Sequence, residues 1–411
     1  MKKTAWISLL ICSTFLFYKY IAQLFPTLIG ASLMQSKGYD GIMLGVMASS
    51  YYYAYSLMQM VSGYLIDRYS IKVPMFCALL VIALMMLAFS HTDNFYLMCV
   101  SRAMMGIGAS FATLAYMKCA ATCTTPKTFG LVSSFLATAT MLGAACGGAP
   151  IAWLFDHTGW QHGLTLVGIA GLVIAGITLA LPDAGQSLPS APVAPRIHSF
   201  RLWDVLAKPD NWLLLLYSGL TFSPVVVLGG LWGTPFLMTK HGIDSTHAAL
   251  ALSVMFIGHA VGAPGWALLA KRVGQKIALM HFSNLAALIT ISLILYGHLP
   301  YTISLVLFFL FGLSVSCFML SFTLCREINT LAVMGLAVAF MNSGEGILGS
   351  LIEPFIGYLL DLSRTGADFS LTGYEAALTV LPCCFMLSST ALFFLGRRKT
   401  ATVCLPHYAG A

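Results

Sequence analysis

The stretch GYLIDRYSIK, residues 63–72, joins two apolar runs that are each long enough to cross a membrane. About 20 apolar residues span the ~30 Å hydrocarbon core of a bilayer. Within the stretch, Gly63 permits close approach of a neighbouring helix, and Asp67 can cap a helix N-terminus through its dipole. Arg68 and Lys72 favour the cytoplasmic side of a membrane, but a merely basic loop would not need Gly63 four residues before Asp67. The stretch therefore predicts a structured gating loop between two transmembrane helices.

The composition extends this reading to the whole chain. Of 411 residues, 59% are hydrophobic and 9% charged, with a mean hydropathy of +0.86; a soluble domain carries about 25% charged residues. Apolar stretches recur from Trp6 to Leu395 with short polar breaks, which leaves no room for a sizeable soluble domain. The sequence predicts an all-α membrane protein of twelve transmembrane helices, at residues 6–31, 42–64, 75–91, 95–118, 128–152, 161–181, 212–235, 248–270, 277–297, 302–325, 331–360 and 375–395.

The net charge of +7 reports topology and not a nucleic-acid partner. With both termini in the cytoplasm, only Lys37, Lys240 and Arg364 fall in outer loops, Lys19 and Arg102 fall within helices, and every other Lys and Arg is cytoplasmic. An odd number of helices would place the basic C-terminal tail outside, against the positive-inside rule. We expect a multi-pass protein of the cell inner membrane, and a monomer.

Other functional classes find little support. None of the 11 cysteines falls in a predicted outer loop, and their spacing offers no second ligand pair for zinc, so we expect no disulfide, metal or cofactor. No Walker loop is present, so transport would depend on a gradient or be passive. A membrane-embedded enzyme would need a Ser/Lys dyad or His/Asp cluster, and the sequence predicts that the chain is not an enzyme.

The polar, proline-rich segment 182–210 divides the chain into two groups of six predicted helices. We expect bundles at 1–181 and 211–396, a cytoplasmic linker at 182–210 and a cytoplasmic tail at 397–411. The second bundle contains an echo of the first loop, ALLAKRVGQK at 267–276, which lacks the acidic residue. An imperfect repeat at the matching place indicates duplication and predicts asymmetric gating.

Several of these motifs resemble those of the major facilitator superfamily. The stretch 63–72 is similar to its signature G-x-L-x-D-R-x-G-R-K, apart from Ser70 and Ile71, and RAMMGIG at 102–108 resembles R-x-x-x-G-x-G. The helix-5 stretch GAACGGAP at 143–150 looks like a loose antiporter motif, which close helix packing also explains. The resemblance implies two six-helix bundles around a central path, with predicted helices 1 and 4 lining the cavity and helix 11 beside it.

Two further stretches are similar to the branch that contains bacterial phagosomal nutrient transporters. These are YYYAYSLMQ at 51–59 and LWGTPFL at 231–237. The resemblance implies uptake of amino acids or nucleosides.

Three charged residues fall near the same depth of the predicted bundle: Lys19, Arg102 and Glu345. A charge at the bilayer centre costs at least ~2.5 kcal/mol. One acid cannot neutralise two cations, so we predict that Lys19 and Arg102 bind a carboxylate or phosphate of the substrate, with Arg as the better bidentate clamp. The alternative is a structural ion pair of Glu345 with Arg102 or with Lys19.

The remaining candidates lie on predicted helices 8 and 11. Asn342 precedes Glu345 by three residues and shares its helical face, which favours a substrate contact for Asn342. Glu345 and His259 are candidates for proton coupling, although either could be structural and Glu345 could instead bind a substrate amine. Glu353, at the outer end of helix 11, is a gate or interface residue.

The sequence thus predicts a secondary active transporter, a proton symporter that imports a small carboxylate-bearing nutrient such as an amino acid. The expected partners are a small-molecule substrate, a proton gradient and the lipid bilayer. The alternative is transport of a siderophore or drug, in either direction, by the same fold. The two buried cations argue against cationic drugs but not against an anionic siderophore.

Overall fold

A computed structural model describes the backbone of residues 3–68, 71–123, 126–179, 202–329, 333–364 and 369–403, and every regular element in these ranges is helical. The helices are α1 Lys3–Leu24, α2 Pro26–Lys37, α3 Gly41–Arg68, α4 Lys72–Ser90, α5 Phe95–Cys123, α6 Pro126–Thr158, α7 Trp160–Thr178, α8 Leu202–Leu206, α9 Pro209–Val227, α10 Gly233–His241, α11 Ser245–Val273, α12 Lys276–Tyr296, α13 Tyr301–Val315, α14 Leu320–Ile328, α15 Met334–Leu362, α16 Leu371–Leu378 and α17 Val380–Val403. A π turn, Leu228–Trp232, joins α9 to α10, and a 3-10 turn, Ser316–Met319, joins α13 to α14.

In these ranges the helices, apart from the short α8, form twelve rods. The pairs α1–α2, α9–α10, α13–α14 and α16–α17 each make one bent rod, and each rod overlaps one predicted helix. Nine rods are long and apolar enough to cross a membrane by length and composition of the described residues. The exceptions are α3, α6 and α15, for which crossing stays a prediction. The multi-pass, all-helical architecture predicted from the sequence is confirmed.

Short turns connect the rods and define two ends of the bundle. We call the end with Lys3 and the last turn of α17 the terminal face, and the end with the turns at 38–40, 91–94 and 242–244 the opposite face. Contacts at the opposite face include the ion pair of Lys37 with Asp93. The assignment of the terminal face to the cytoplasm stays a prediction.

Two long seams join the helices before residue 180 to those after residue 201. In one, which we call the α3–α15 seam, α3 packs along α15; in the other, the α6–α11 seam, α6 packs along α11. Between them, Thr27 of α2 donates a hydrogen bond to Thr234 of α10 across 3.1 Å. The central path expected from the sequence would run between these two seams.

Glycine brings the backbones of the α3–α15 seam into contact near the opposite face. A Cβ on Gly45 would lie 2.4 Å from Cα of Pro354, and one on Gly41 would lie 2.5 Å from the carbonyl oxygen of Gly357. No larger residue fits there without moving backbone. The α3–α15 seam is therefore closed at the opposite face.

Candidate functional site

Lys19 lies on α1 in the middle of the bundle, with 4% of its surface exposed. Its ammonium donates a hydrogen bond to the Tyr55 hydroxyl across 3.3 Å and lies 4.5 Å and 4.9 Å from the ring centroids of Tyr55 and Tyr20. Aromatic rings attract a cation through their negative faces. In the described part of the chain no carboxylate pairs with Lys19, so its charge is held by neutral groups.

Glu345 lies on α15 with 7% of its surface exposed, and its carboxylate accepts a hydrogen bond from Ser218 of α9. Tyr20 lies within electrostatic range of both Glu345 and Lys19. The two opposite charges therefore share one region, as their predicted depths indicated. Among the described residues, however, Glu345 makes no ion pair with Lys19 or Arg102, so the structural-pair alternative is not observed.

Arg102 has a different environment from the one predicted for a substrate clamp. It is fully buried on α5, and its guanidinium donates to the backbone carbonyls of Ala22, of Gln23 at 3.2 Å and of Ala48 at 3.4 Å. Pro26 has no N–H, so the Ala22 carbonyl four residues earlier lacks its helical donor. Arg102 satisfies that carbonyl at the break between α1 and α2.

The Arg102 guanidinium also lies 5.0 Å from the ring centroid of Phe25 and 4.8 Å from that of Tyr51. With its hydrogen bonds, these contacts attach α5 to α1 and α3. In this conformation Arg102 supports the bent first rod and does not face an open path. Substrate binding by Arg102 stays an untested prediction, and the geometry favours a supporting role.

Polar side chains line the interior near Lys19. Asn342 donates to Gln59 across the α3–α15 seam at 3.3 Å, and Gln23 donates to the Tyr52 hydroxyl at 3.3 Å. Gln23, Gln59 and Asn342 are partly exposed although they lie within long helices and contact neighbouring rods. Polar groups within apolar helices that remain accessible mark a water-filled path.

His259 lies on α11 with 3% of its surface exposed, between the rings of Phe222 at 6.0 Å and Phe318 at 5.7 Å. Its Nδ1 atom is buried and has no hydrogen-bond partner in the described residues. An apolar, aromatic pocket favours the neutral imidazole. Proton coupling by His259 stays a prediction that no described acidic neighbour supports.

The gating stretch differs in two respects from its prediction. Helix α3 continues to Arg68, so residues 63–68 form its last turns and not a loop. Among the described residues, a Cβ on Gly63 would meet the Leu114 side chain at an ordinary 3.9 Å, so the predicted close approach at Gly63 is not seen there and stays a prediction. Lys72 is partly exposed at the start of α4, and the side chains of Asp67 and Arg68 lie outside the described residues.

Glycines of the second motif do permit close approach. A Cβ on Gly106 would lie 2.1 Å from the Tyr51 carbonyl oxygen, and one on Gly108 would lie 2.7 Å from that of Ala78. These two glycines let α5 pack closely on α3 and on α4. Arg102 and Gly106 thus act on the same neighbour, α3.

Sequence reasoning missed two features of the interior. One is Ser218, the donor to Glu345; a serine within an apolar helix gives little warning of its partner. The other is the π turn after α9, a geometry often found at functional sites. Pro224 and the pair Gly229-Gly230 were its available signals, because they weaken regular helical bonding.

Comparison with known proteins identifies the architecture. Residues 7–353 match the sequence profile of the Major Facilitator Superfamily. The chain belongs to this superfamily. A bacterial homologue of the human lysosomal transporter Spinster, in an inward-facing and occupied conformation, superposes with a TM-score of 0.80 at 15% identity, covering 97% of this chain and 98% of that one. A D-xylose–proton symporter gives a TM-score of 0.73 at 14% identity, covering 95% and 96%.

Among curated proteins, the 4-hydroxybenzoate transporter PcaK of Pseudomonas aeruginosa is 28% identical over 254 residues. The match spans 56% of this chain and 55% of that relative, about half the length of each. The superfamily resemblance drawn from the motifs is confirmed, and the structural neighbours share the fold. This chain is thus an all-helical, multi-pass member of the superfamily.

Proposed function

We propose that this transporter imports a small carboxylate-bearing solute by proton symport. The observation that carries the proposal is Lys19, a cation in the middle of the bundle that no described carboxylate neutralises. Such a charge is costly to bury, and a substrate carboxylate would provide the missing partner. The Tyr20 and Tyr55 rings beside it would pack on an amino acid side chain or an aromatic ring.

The relative PcaK supports a carboxylate substrate, because 4-hydroxybenzoate, for which that transporter is named, is an aromatic acid. We therefore propose amino acids and aromatic acids as the first solutes to test. Asn342, which faces the same interior, would contribute a neutral polar contact. No observation favours a cationic drug, and an anionic siderophore would use the same cation.

Glu345 is the proposed proton carrier. It keeps 7% of its surface exposed, and it shares Tyr20 as a neighbour with Lys19 without pairing with that residue. Binding of a solute carboxylate at Lys19 would change the field at Glu345, which couples the solute and the proton through Coulomb interaction in a medium of low dielectric. The terminal face is proposed to be cytoplasmic, in the inner membrane, with the transporter as a monomer.

The first experiment is a thermal-shift screen of amino acids, aromatic acids, nucleosides and siderophores on purified protein. Proteoliposome uptake with and without a pH gradient then follows for each hit. Lys19→Gln should weaken binding by about 1–3 kcal/mol, the range for hydrogen bonds to charged groups, while Arg272→Gln, which removes an exposed cation at the terminal face, should not. Equal affinities for Lys19→Gln and the control would refute the proposed binding site.

Glu345→Gln separates coupling from binding. We expect it to abolish accumulation driven by a pH gradient while solute exchange continues, because an amide cannot release a proton. Arg102→Gln should instead reduce the yield of folded protein, since it leaves the Ala22 carbonyl at the break between α1 and α2 without its hydrogen-bond donor. Proton-driven uptake by Glu345→Gln at the wild-type level would rule out Glu345 as the carrier.

A further inference from the structure

Besides Glu345, α15 carries a second buried carboxyl group, Glu353, which lies in the α3–α15 seam. It has no cation partner in the described residues. Glu353 is fully buried, and its Oε1 atom has no hydrogen-bond donor there. That atom faces Gly230 of the π turn so closely that a Cβ on Gly230 would lie 2.5 Å from it. An ionised carboxylate in such a place would lack a required donor, which is costly in an apolar interior.

The contacts of the Ser49 hydroxyl indicate that the Glu353 side chain carries a proton. The Ser49 Oγ atom lies 2.7 Å from the carbonyl oxygen of Ser350 and 3.1 Å from Oε2 of Glu353. A hydroxyl carries one hydrogen, and a carbonyl oxygen can only accept. The shorter contact takes that hydrogen, so the contact with Oε2 is a hydrogen bond only if Glu353 itself donates.

The groups that face Glu353 do not supply the missing charge. From α3 the titratable neighbours are Tyr52 and Tyr53, whose hydroxyl donates to the Ser350 carbonyl at 3.1 Å, and from α5 the cation Arg102 acts at a distance, without an ion pair. The π turn contributes Gly230 and Trp232, whose ring N–H donates to the Glu353 backbone carbonyl at 3.0 Å and not to its side chain. Arg102 opposes protonation through its charge, but its bound N–H groups point at backbone carbonyls.

On α15 itself the next acidic residue is Glu345, about two helical turns away. It faces Ser218 of α9, whereas Glu353 faces α3. Gln23 of α1 donates to the Tyr52 hydroxyl, and that hydroxyl makes no hydrogen bond to Glu353 in the described residues. The two carboxyl groups of α15 thus occupy separate environments.

We propose that Glu353 is a proton-binding site of the seam, and that closing the opposite face takes up one proton on its carboxyl group. When the seam separates, water would reach Glu353 and the proton could leave; when the seam closes, only the neutral acid is buried. The closed form therefore binds the proton more tightly, and its stability is lost as pH rises. The proposal deepens the proposed proton symport by assigning a proton to the conformational step.

Distance measurement between spin labels tests the proposal without substrate. Labels would be placed at Ser36 and Thr239, exposed residues near the ends of α2 and α10 that lie at the opposite face, and they would report separation of that face. The labelled chain would have its native cysteines replaced and would first be shown to transport. Between about pH 5.5 and about pH 8.5 we expect the ratio of closed to open populations to fall, by up to about tenfold per pH unit for one linked proton.

Glu353→Gln should hold the face closed at both pH values, because the amide imitates the neutral acid. Glu375→Gln, the matched control, removes a partly exposed carboxyl group on α16 that has no part in the proposed site, and it should keep the pH dependence of the wild type. A pH-independent wild type, or a pH-dependent Glu353→Gln, would overturn the proposal. Neither result would touch the proposed function, which is judged by solute uptake and by Lys19 and Glu345.

Ser49→Ala gives a second test if Glu353→Gln does not fold. Loss of the Ser49 oxygen removes the acceptor for the Glu353 proton, so closing should require more acid and the midpoint should move to lower pH. An unchanged midpoint would count against the proposed proton. Ser253→Ala, at the corresponding place of the α6–α11 seam, should leave the midpoint unchanged.

Discussion

The α3–α15 and α6–α11 seams are two versions of one contact. The number of residues between Ser49 and Ser253 equals the number between Pro150 and Pro354. Under an internal repeat, α3 therefore corresponds to α11 and α6 corresponds to α15. Each serine donates to a carbonyl of the facing helix, Ser49 at 2.7 Å and Ser253 at 2.6 Å, to that of Ala145. The shared scaffold is a serine on one helix and a proline-containing helix opposite it.

The two seams differ in charge. In the same register, Glu353 of the first seam corresponds to Ala149 of the second, whose backbone N–H donates to Ser253 at 3.3 Å. Where Ser49 meets a carboxyl group, Ser253 meets only backbone. Duplication thus supplies two equivalent hinges, and a single acidic residue makes one of them sensitive to protons.

The two seams also differ where they end at the opposite face. Asp361 of α15 accepts the backbone N–H groups of Gly41 and Ile42, at 2.8 Å and 2.9 Å, and so caps α3 across the first seam. Asp156 of α6 instead accepts from two exposed hydroxyls at the start of α11, Ser245 and Thr246, both at 2.7 Å. Without Asp361, the backbone N–H groups of α3 would have fewer alternative hydrogen-bond acceptors than the hydroxyls of α11 would have without Asp156. Loss of its acidic residue should therefore destabilise the first seam more than the second.

The largest effect is expected from Gly45→Ala. Its Cβ would lie 2.4 Å from the Pro354 backbone, so the first seam could not close without a backbone shift that costs about 1–3 kcal/mol or more. We expect normal membrane insertion with severe loss of uptake, measured in proteoliposomes. Gly265→Ala in α11, where a Cβ would meet no atom of the described residues within 4 Å, is the control. Full uptake by Gly45→Ala would show that this contact does not gate transport.

An intermediate difference is expected between Asp361→Ala and Asp156→Ala. Loss of the Asp361 cap should destabilise the closed face by about 0.5–2 kcal/mol, the usual range for a helix cap, and loss of Asp156 by less. Distances between labels at Ser36 and Thr239, at one fixed pH, would measure both. Equal shifts for the two variants would mean that the seams contribute equally to closure.

The smallest effect concerns Asp244, which caps α11 locally and not across a seam. It accepts the backbone N–H of His247 at 2.7 Å, and this hydrogen bond lowers the pKa of Asp244 below its ordinary value. A carboxyl group with a lowered pKa stabilises the fold above its ordinary pKa, and this contribution is lost as pH falls through the lowered one.

Asp244 is largely exposed, so Asp244→Ala should cost only about 0.5 kcal/mol, the low end of the range for a helix cap. Thermal unfolding at neutral and acidic pH would show the difference from the wild type shrink in acid. A difference that grows in acid would contradict the sign of this linkage. Uptake should remain normal, which separates a local cap from the caps that cross a seam.

Much of the architecture was predictable because apolar length is a property of each segment alone. The twelve segments, their order and the superfamily motifs follow from hydropathy and local pattern, and each predicted helix overlaps one rod. Lys19 and Glu345 were likewise recognisable, since a charge within an apolar helix is rare and costly. Their common location also followed from helix rise and chain direction.

Partners across the bundle could not be read from the chain. The sequence marked Arg102 as a charge in need of an anion, but the fold surrounds it with backbone carbonyls, one of which is freed by Pro26, a residue 76 positions away along the chain. Glu353 looked like a boundary residue until packing placed Ser49 and Gly230 against it. Hydropathy decides which segments enter the bilayer because it sums over a segment, whereas the state of a single buried charge depends on a few atoms that only the packing of distant helices brings together.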